Sequence, residues 1–544
     1  MNTRQLQTDK NQKLYHALLG ILLVCALAMM MLLSYWACKY SYYGAVDGRT
    51  RGVLVGDKTW AHIAVFFAAS LCAMGIDKVL MKKDKSQQEK ICLCTLIVTS
   101  VIAFILGVFY VCKNPYYPVG DQINTTAFAA YCRDGNFSML SIGGYVGMYQ
   151  QQKGLAILYE ILFTLFGDFN YRPAKILHVV WWILTILAGY GFLKLNTDRP
   201  VFRMLYCVMM LGCFPLLFYL PYIYGDVLSI SFGIILFYGV AAYEHSGQKR
   251  YIALASFAAG LAVLARKNTW IVLVAVAVYV LLVSLRKKKV RYLMAGTAIL
   301  LTAALSVKAV DVIYEVRSGY PSGVGIPSIL WVAMGLQETE GRAGVYNRYQ
   351  QATFTDYDCQ QELAAQQGKE YIRERLEEFS QDPGMAFNFF KNKVEGQWIE
   401  PMYAALESTE SFEEGAELSP VLESLYYGEL GRTIWKLTNY YQSILYLAGL
   451  MALVMLGILW WKKKEVPISL WLPWIAVFGG FLFSILWEAK SRYVFPYCVF
   501  MILYAPEGLY QTGLLLCKLP KLRKFKKSRH TQDKGEEAPL RETA

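Results

Sequence analysis

The stretch IVLVAVAVYVLLVSL at 271–285, stopped at once by RKKKVR at 286–291, decides how the rest of the chain is read. A helix of that length nearly bridges the ~30 Å hydrocarbon core of a bilayer, and the basic cluster that stops it marks a side. Similar runs recur at 14–36, 91–111 and 443–461, in a chain that is 56% hydrophobic and only 17% charged. Apolar runs with a turn or charge cluster at each end predict about twelve spans: 14–36, 60–79, 91–111, 174–194, 203–221, 227–243, 252–265, 270–285, 292–311, 441–461, 467–486 and 493–515. The lysine-rich breaks at 81–90, 244–250, 286–291 and 461–465, the segment 196–203 and the C-terminal tail then share one side, which the positive-inside rule makes cytoplasmic. One loop dissents, because Lys39, Arg49, Arg51 and Lys58 fall outside between the first two spans. The first span lacks a short apolar core with a small-residue cleavage site and reads as a retained helix, not a signal peptide.

The expected fold is an all-α polytopic membrane protein in five parts. These are 1–90, an N-terminal segment and two-helix hairpin; 91–311, a transmembrane core with an outer loop at 112–173; 312–440, an outer region; 441–515, the last spans; and 516–544, a basic cytoplasmic tail. Net charge +13 is accounted for by the short basic loops and the tail, facing anionic lipid, and calls for no nucleic acid. In the first outer loop, 154–166 is short for a span and carries Glu160, so a helix lying in the interface is expected. In the second, a helical stretch at 359–379 and a surface helix at 385–398 are expected, and Glu407, Glu410, Glu413, Glu414 and Glu417 read as a solvated face.

The twelve cysteines lie mostly in apolar runs, as small hydrophobes. Cys112 and Cys132 share a loop, a spacing that does not by itself establish a bridge. No His/Cys spacing suited to zinc, no phosphate-cradling Gly-Lys-Ser/Thr loop and no HExxH occurs, which removes support for zinc proteolysis and ATP-driven transport.

What remains is charge at the outer helix ends. Asp121 follows NPYYPVG (114–120), Asp226 follows PYIYG (221–225), Arg266 and Lys267 fill a tight turn, and Arg492 and Tyr493 follow Glu488 and Lys490. Either aspartate alone would pass for a helix N-cap. Together with cations retained on the face that the positive-inside rule keeps poor in them, they point to a site for an anion, of which a lipid phosphate is the natural one beside a membrane.

The order DQ (121–122), GGYVGMYQQQKG (143–154), LFGDFNYRPAKIL (165–177), Asp226 and EAKSRYVFPY (488–497) resembles the GT-C superfamily of polytopic glycosyltransferases. Within it the likeness is to bacterial relatives of the dolichyl-phosphate-mannose protein mannosyltransferase and aminoarabinose transferase group, over about residues 90–515. The resemblance implies a polyprenyl-phosphate sugar donor, interfacial helices in the first outer loop, Asp121 as catalytic aspartate, Asp226 as a second acidic position and Arg492 near the lipid phosphate. Many relatives carry Asp-Glu where this chain has Asp121-Gln122, so any role of a second carboxylate there does not carry over.

The chemistry expected of these residues is transfer with inversion. A departing phosphate needs no proton donor, so one base, Asp121, and a cationic clamp of Arg492, Lys267 and Arg266 suffice, with Lys153 in reach of the phosphate. Asp226 has two readings, orienting the acceptor or helping to hold a divalent metal. Gln122, Tyr149, Gln152 and Tyr493 are expected to line the acceptor or sugar path. The acceptor could be a cell-wall polymer, a glycolipid or a protein. The rivals are a flippase or transporter of polyprenyl-linked glycans, for which Glu507 in the last span speaks, and a non-catalytic envelope protein.

Overall fold

The computed structural model describes residues 3–43, 53–287, 289–323, 325–464 and 466–532, and it is 78% helical. Among the described residues, nine helices are long and apolar enough to cross a membrane. The expected positions 14–36, 60–79, 91–111, 174–194, 227–243, 270–285, 292–311 and 441–461 each fall within one of them, and 467–486 matches the last to within one residue, in order from Asn11–Lys39 to Ile468–Leu486.

The other three expected spans differ, each for a local reason. The 252–265 run is the helix Lys249–Ala265, cut to 17 residues by the turn at Arg266. The 203–221 run is broken, because Pro215 lacks an amide hydrogen and the helix Pro200–Leu211 gives way to a separate turn, Phe214–Phe218. The 493–515 run is likewise two helices, Ser491–Met501 and Ala505–Gln532, meeting just before Pro506. Arg49, Arg51, Lys288, Glu465 and 533–544 lie outside the described residues.

Capping sets several of the ends. Asp84 accepts the Gln87 amide at 2.8 Å to open Lys85–Lys113, and Gly247 and Gly319, at φ 69° and 72°, close Asp226–Ser246 and Val290–Ser318. Within the bundle Asp226–Ser246 is central, its apolar window 83% buried, whereas that of Val290–Ser318 is 22% buried and forms the rim.

Ion pairs gather the lysine-rich breaks at one end of the bundle. Arg203 meets Glu89 at 2.6 Å, Arg199 meets Asp77 at 2.9 Å, Lys287 meets Glu244 at 2.8 Å, and Arg286 donates to the Val466 carbonyl at 2.7 Å. Glu244 closes the helix that Asp226 opens, so Asp226 is at the far end.

At that far end the two outer segments knit together. The segment 114–117 meets 411–413 in an isolated antiparallel bridge, with Tyr117 N donating to Ser411 O and Glu413 N to Pro115 O, both 2.9 Å, and Ile326 N donates to Met148 O. The helix Lys153–Phe166 stays at this end, and its Glu160 pairs with Arg317 at 2.6 Å. The 359–379 expectation is met by Gln361–Gln381. The 385–398 helix, Pro383–Trp398, lies at the surface only over its first half: its C-terminal part is buried, with Trp398 fully buried and donating to Ser484 Oγ at 3.0 Å. A hairpin, Tyr40–Tyr43 with Val53–Gly56, ties the dissenting loop to this assembly through Tyr42 N to Ile399 O. Cys112 and Cys132 are both free thiols.

Candidate functional site

A cavity of about 970 Å³ opens between the span ends and the outer segments. Asp121, Gln122, Tyr149, Gln152, Arg266, Lys267, Arg492 and Tyr493 all line it, although they come from four separate stretches of sequence. Asp121 begins the helix Asp121–Arg133 after Gly120, whose φ of 58° suits glycine and swings the chain into the cavity. Its carboxylate accepts a hydrogen bond from Tyr145 Oη at 2.8 Å. Gln122 is buried and accepts from Tyr116 at 2.5 Å, so it stiffens the loop while forming part of the wall.

Asp226 stands behind this wall, in a small adjoining recess. Arg266 Nη1 bonds both of its oxygens at 2.6 Å, and Arg492 Nε lies 3.9 Å away. Gly225 permits the pairing, because a Cβ there would overlap the Ala265 carbonyl. Burial works against the Arg266 charge, yet Asp226 and the Tyr224 and Tyr493 rings outweigh it and raise the Arg266 pKa above the ordinary value. Arg492, 5% exposed, lies over the rings of Tyr222, Tyr224 and Tyr493 at 5.2–5.5 Å, and its Nε has no hydrogen-bond partner. That nitrogen is buried and turned toward Asp226, while the Arg492 side chain also forms part of the cavity wall.

Lys153 is placed elsewhere. Its ammonium is buried against Asp311 and Ser322 and faces a second cavity of about 340 Å³, between the ends of Lys249–Ala265 and Val290–Ser318. The two cavities share Gln151, Lys267 and Ser328 as a common wall. Lys267 thus faces both.

Three groups in the large cavity were not singled out from sequence. Glu488 is 6% exposed, and burial, with Asp121 adding to it, pushes its carboxyl up to about 7. Glu407, read as solvated, instead lines the cavity with a buried oxygen that lacks a hydrogen-bond partner, and burial raises its pKa. It is carried there by Tyr403 and Ala404, both at positive φ (51° and 56°), a strain fixed by Glu400, which accepts the Met402 and Ala404 amides at 2.8 and 2.6 Å. Lys490 is the third; like Glu488 it stands among the outer helix-end charges of the sequence but was given no role there. Behind Glu488, Lys393 is 1% exposed and burial lowers its pKa to about 7. Among the described residues no three His, Cys, Asp or Glu converge as metal ligands, and both Asp226 oxygens are already bonded.

No known protein family, curated protein or solved structure matches this chain.

Proposed function

We propose that this chain is a membrane glycosyltransferase of the GT-C type, moving a sugar from a polyprenyl-phosphate donor to an extracytoplasmic acceptor with inversion. The observation that carries the reading is that Asp121 and Arg492, far apart in sequence, open onto one cavity at the end of the bundle opposite the lysine-rich loops. In this reading the chain crosses a bacterial plasma membrane twelve times, three crossings being short or interrupted, with both termini cytoplasmic and the cavity outside.

Asp121 takes the proton of an acceptor hydroxyl while Tyr145 holds the carboxylate. The acceptor oxygen bonds to the anomeric carbon as the bond from that carbon to the phosphate oxygen breaks, and its electron pair stays on the polyprenyl phosphate. Arg492, with Lys267 and Lys490, neutralises that charge. Asp226 acts as a positioning residue: engaged by Arg266, it fixes the two guanidiniums and is not free to serve as a base or metal ligand. The smaller cavity offers the donor's chain a side approach past Lys267.

The test is transfer by the purified chain in lipid nanodiscs, using lipid-linked sugars extracted from producing cells. Asp121→Asn is expected to slow turnover about 10²–10⁴-fold with donor binding kept. Undiminished transfer by that variant would remove Asp121 as the base. Donor crossing the bilayer without sugar transfer would favour a flippase.

A further inference from the structure

The cavity is larger than a lipid-phosphate sugar needs, and its outer half is walled by side chains that the reaction above does not use. A volume of 970 Å³ is at the upper end of the ~300–1,000 Å³ typical of small-molecule sites. From Tyr145, which holds Asp121, an aromatic run follows the cavity wall: Tyr149 at 5.1 Å, then Trp331 at 6.2 Å, then Trp487 at 5.9 Å, at the end of the span Ile468–Leu486. The two indoles are parallel within 3°, yet their centroids are much farther apart than the ~3.5–4 Å of facing carbon atoms, so the rings are stepped and overlap only in part. Beside Tyr149, Tyr346 lines the cavity and is 47% exposed.

Polar groups accompany the rings. Gln350 lines the cavity, is 1% exposed and has an amide oxygen without a hydrogen-bond partner. Arg348 lines it too, exposed, with no ion pair among the described residues. Its φ of 67° is unfavourable for arginine, and Asn347 sustains the turn by accepting the Tyr349 amide and donating to Gln337 and Thr339.

We infer that this outer half is a binding subsite for a carbohydrate chain, and hence that the acceptor is a glycan and not a peptide or a lipid; the second clause rests on the transferase reading. Stepped aromatic faces accept the C–H faces of successive sugar rings, whose hydrogens are drawn to the electron-rich π-face. The Gln350 amide and the exposed Arg348 guanidinium supply partners for the hydroxyls, which need them once desolvated. A peptide would ask for backbone pairing along a strand edge, whereas the strands that reach this cavity, Glu338–Thr339 and Arg342–Ala343, are two residues each and paired to one another. A lipid would ask for an apolar trough, whereas Glu340, Arg342, Arg348 and Gln350 line this wall.

The probe is the full chain in nanodiscs titrated with short neutral and uronate-containing oligosaccharides, a Ser/Thr-rich peptide and a short-chain diacylglycerol, read by tryptophan emission and by calorimetry. Saturable binding of at least one oligosaccharide is expected, with Kd raised about tenfold or more in Trp331→Ala and in Tyr346→Ala and unchanged in Tyr427→Ala, an exposed ring outside the cavity. Because Tyr346 is at the surface, its variant reports on binding without risk to folding. No saturable binding of any oligosaccharide, or peptide or diacylglycerol binding lost in the same two variants, overturns the inference. Sugar transfer is measured in parallel: glycan binding without transfer removes the transferase reading and leaves the subsite standing.

Discussion

Asp226 shows how a single side chain governs a site without entering it. Changing it to Asn leaves the Arg266 and Arg492 charges buried without a counter-charge, which costs about 3–5 kcal/mol. A fall in thermal unfolding temperature in detergent is the expected result, partly recovered in Asp226→Asn/Arg266→Met; an unaltered temperature would mean that the pair holds nothing in place. Glu488 supplies a pH dependence. Its folded-state carboxyl titrates near about 7, so below that it is neutral and above it a negative charge faces the cations of the cavity. Donor KM is therefore expected to rise as pH passes upward through about 7, and Glu488→Gln to flatten that rise. An unchanged profile in the Gln variant counts against Glu488 as the titrating group. Charges at helix ends, such as Asp121, Arg266 and Arg492, could be read from sequence because the membrane leaves few reasons for them to be there. Glu407 and Trp331 could not, since in a polar outer segment an acid or an aromatic is ordinary, and only strain at Tyr403 and Ala404 and the packing of Trp487 single them out.

Elements meet the site through close backbone approaches. Gly225→Ala drives a methyl into the Ala265 carbonyl and parts the helix Asp226–Ser246 from the Arg266 turn. Destabilisation of about 1–3 kcal/mol with loss of transfer is expected, whereas Gly75→Ala, with nothing within 4 Å, is expected to be neutral or mildly stabilising. Equal unfolding temperatures for the two variants would deny the contact. Most spans were legible because hydropathy and length dictate them. The interruptions at Phe214–Phe218 and after Met501 were signalled only by Pro215 and Pro506, which hydropathy ignores and hydrogen bonding does not. The burial of the C-terminal part of Pro383–Trp398 depended on Ser484 and on contacts distant in sequence, which no local period encodes.

For the molecule as a whole, the arrangement to be tested is that the basic loops and the cavity face opposite compartments. Asn268→Cys, at the cavity, is expected to react with an impermeant maleimide in intact cells, and Ser86→Cys, among the lysine-rich breaks, only after permeabilisation, each in a cysteine-free background. The reverse pattern would invert the topology. The separation of the two cavities by a wall as thin as Gln151, Lys267 and Ser328 has a kinetic consequence. Reactants that arrive by different doors can be present together, so velocities plotted for one reactant at several levels of the other should give intersecting lines, and a greasy inhibitor lodged at the side door should be noncompetitive toward whatever enters from above.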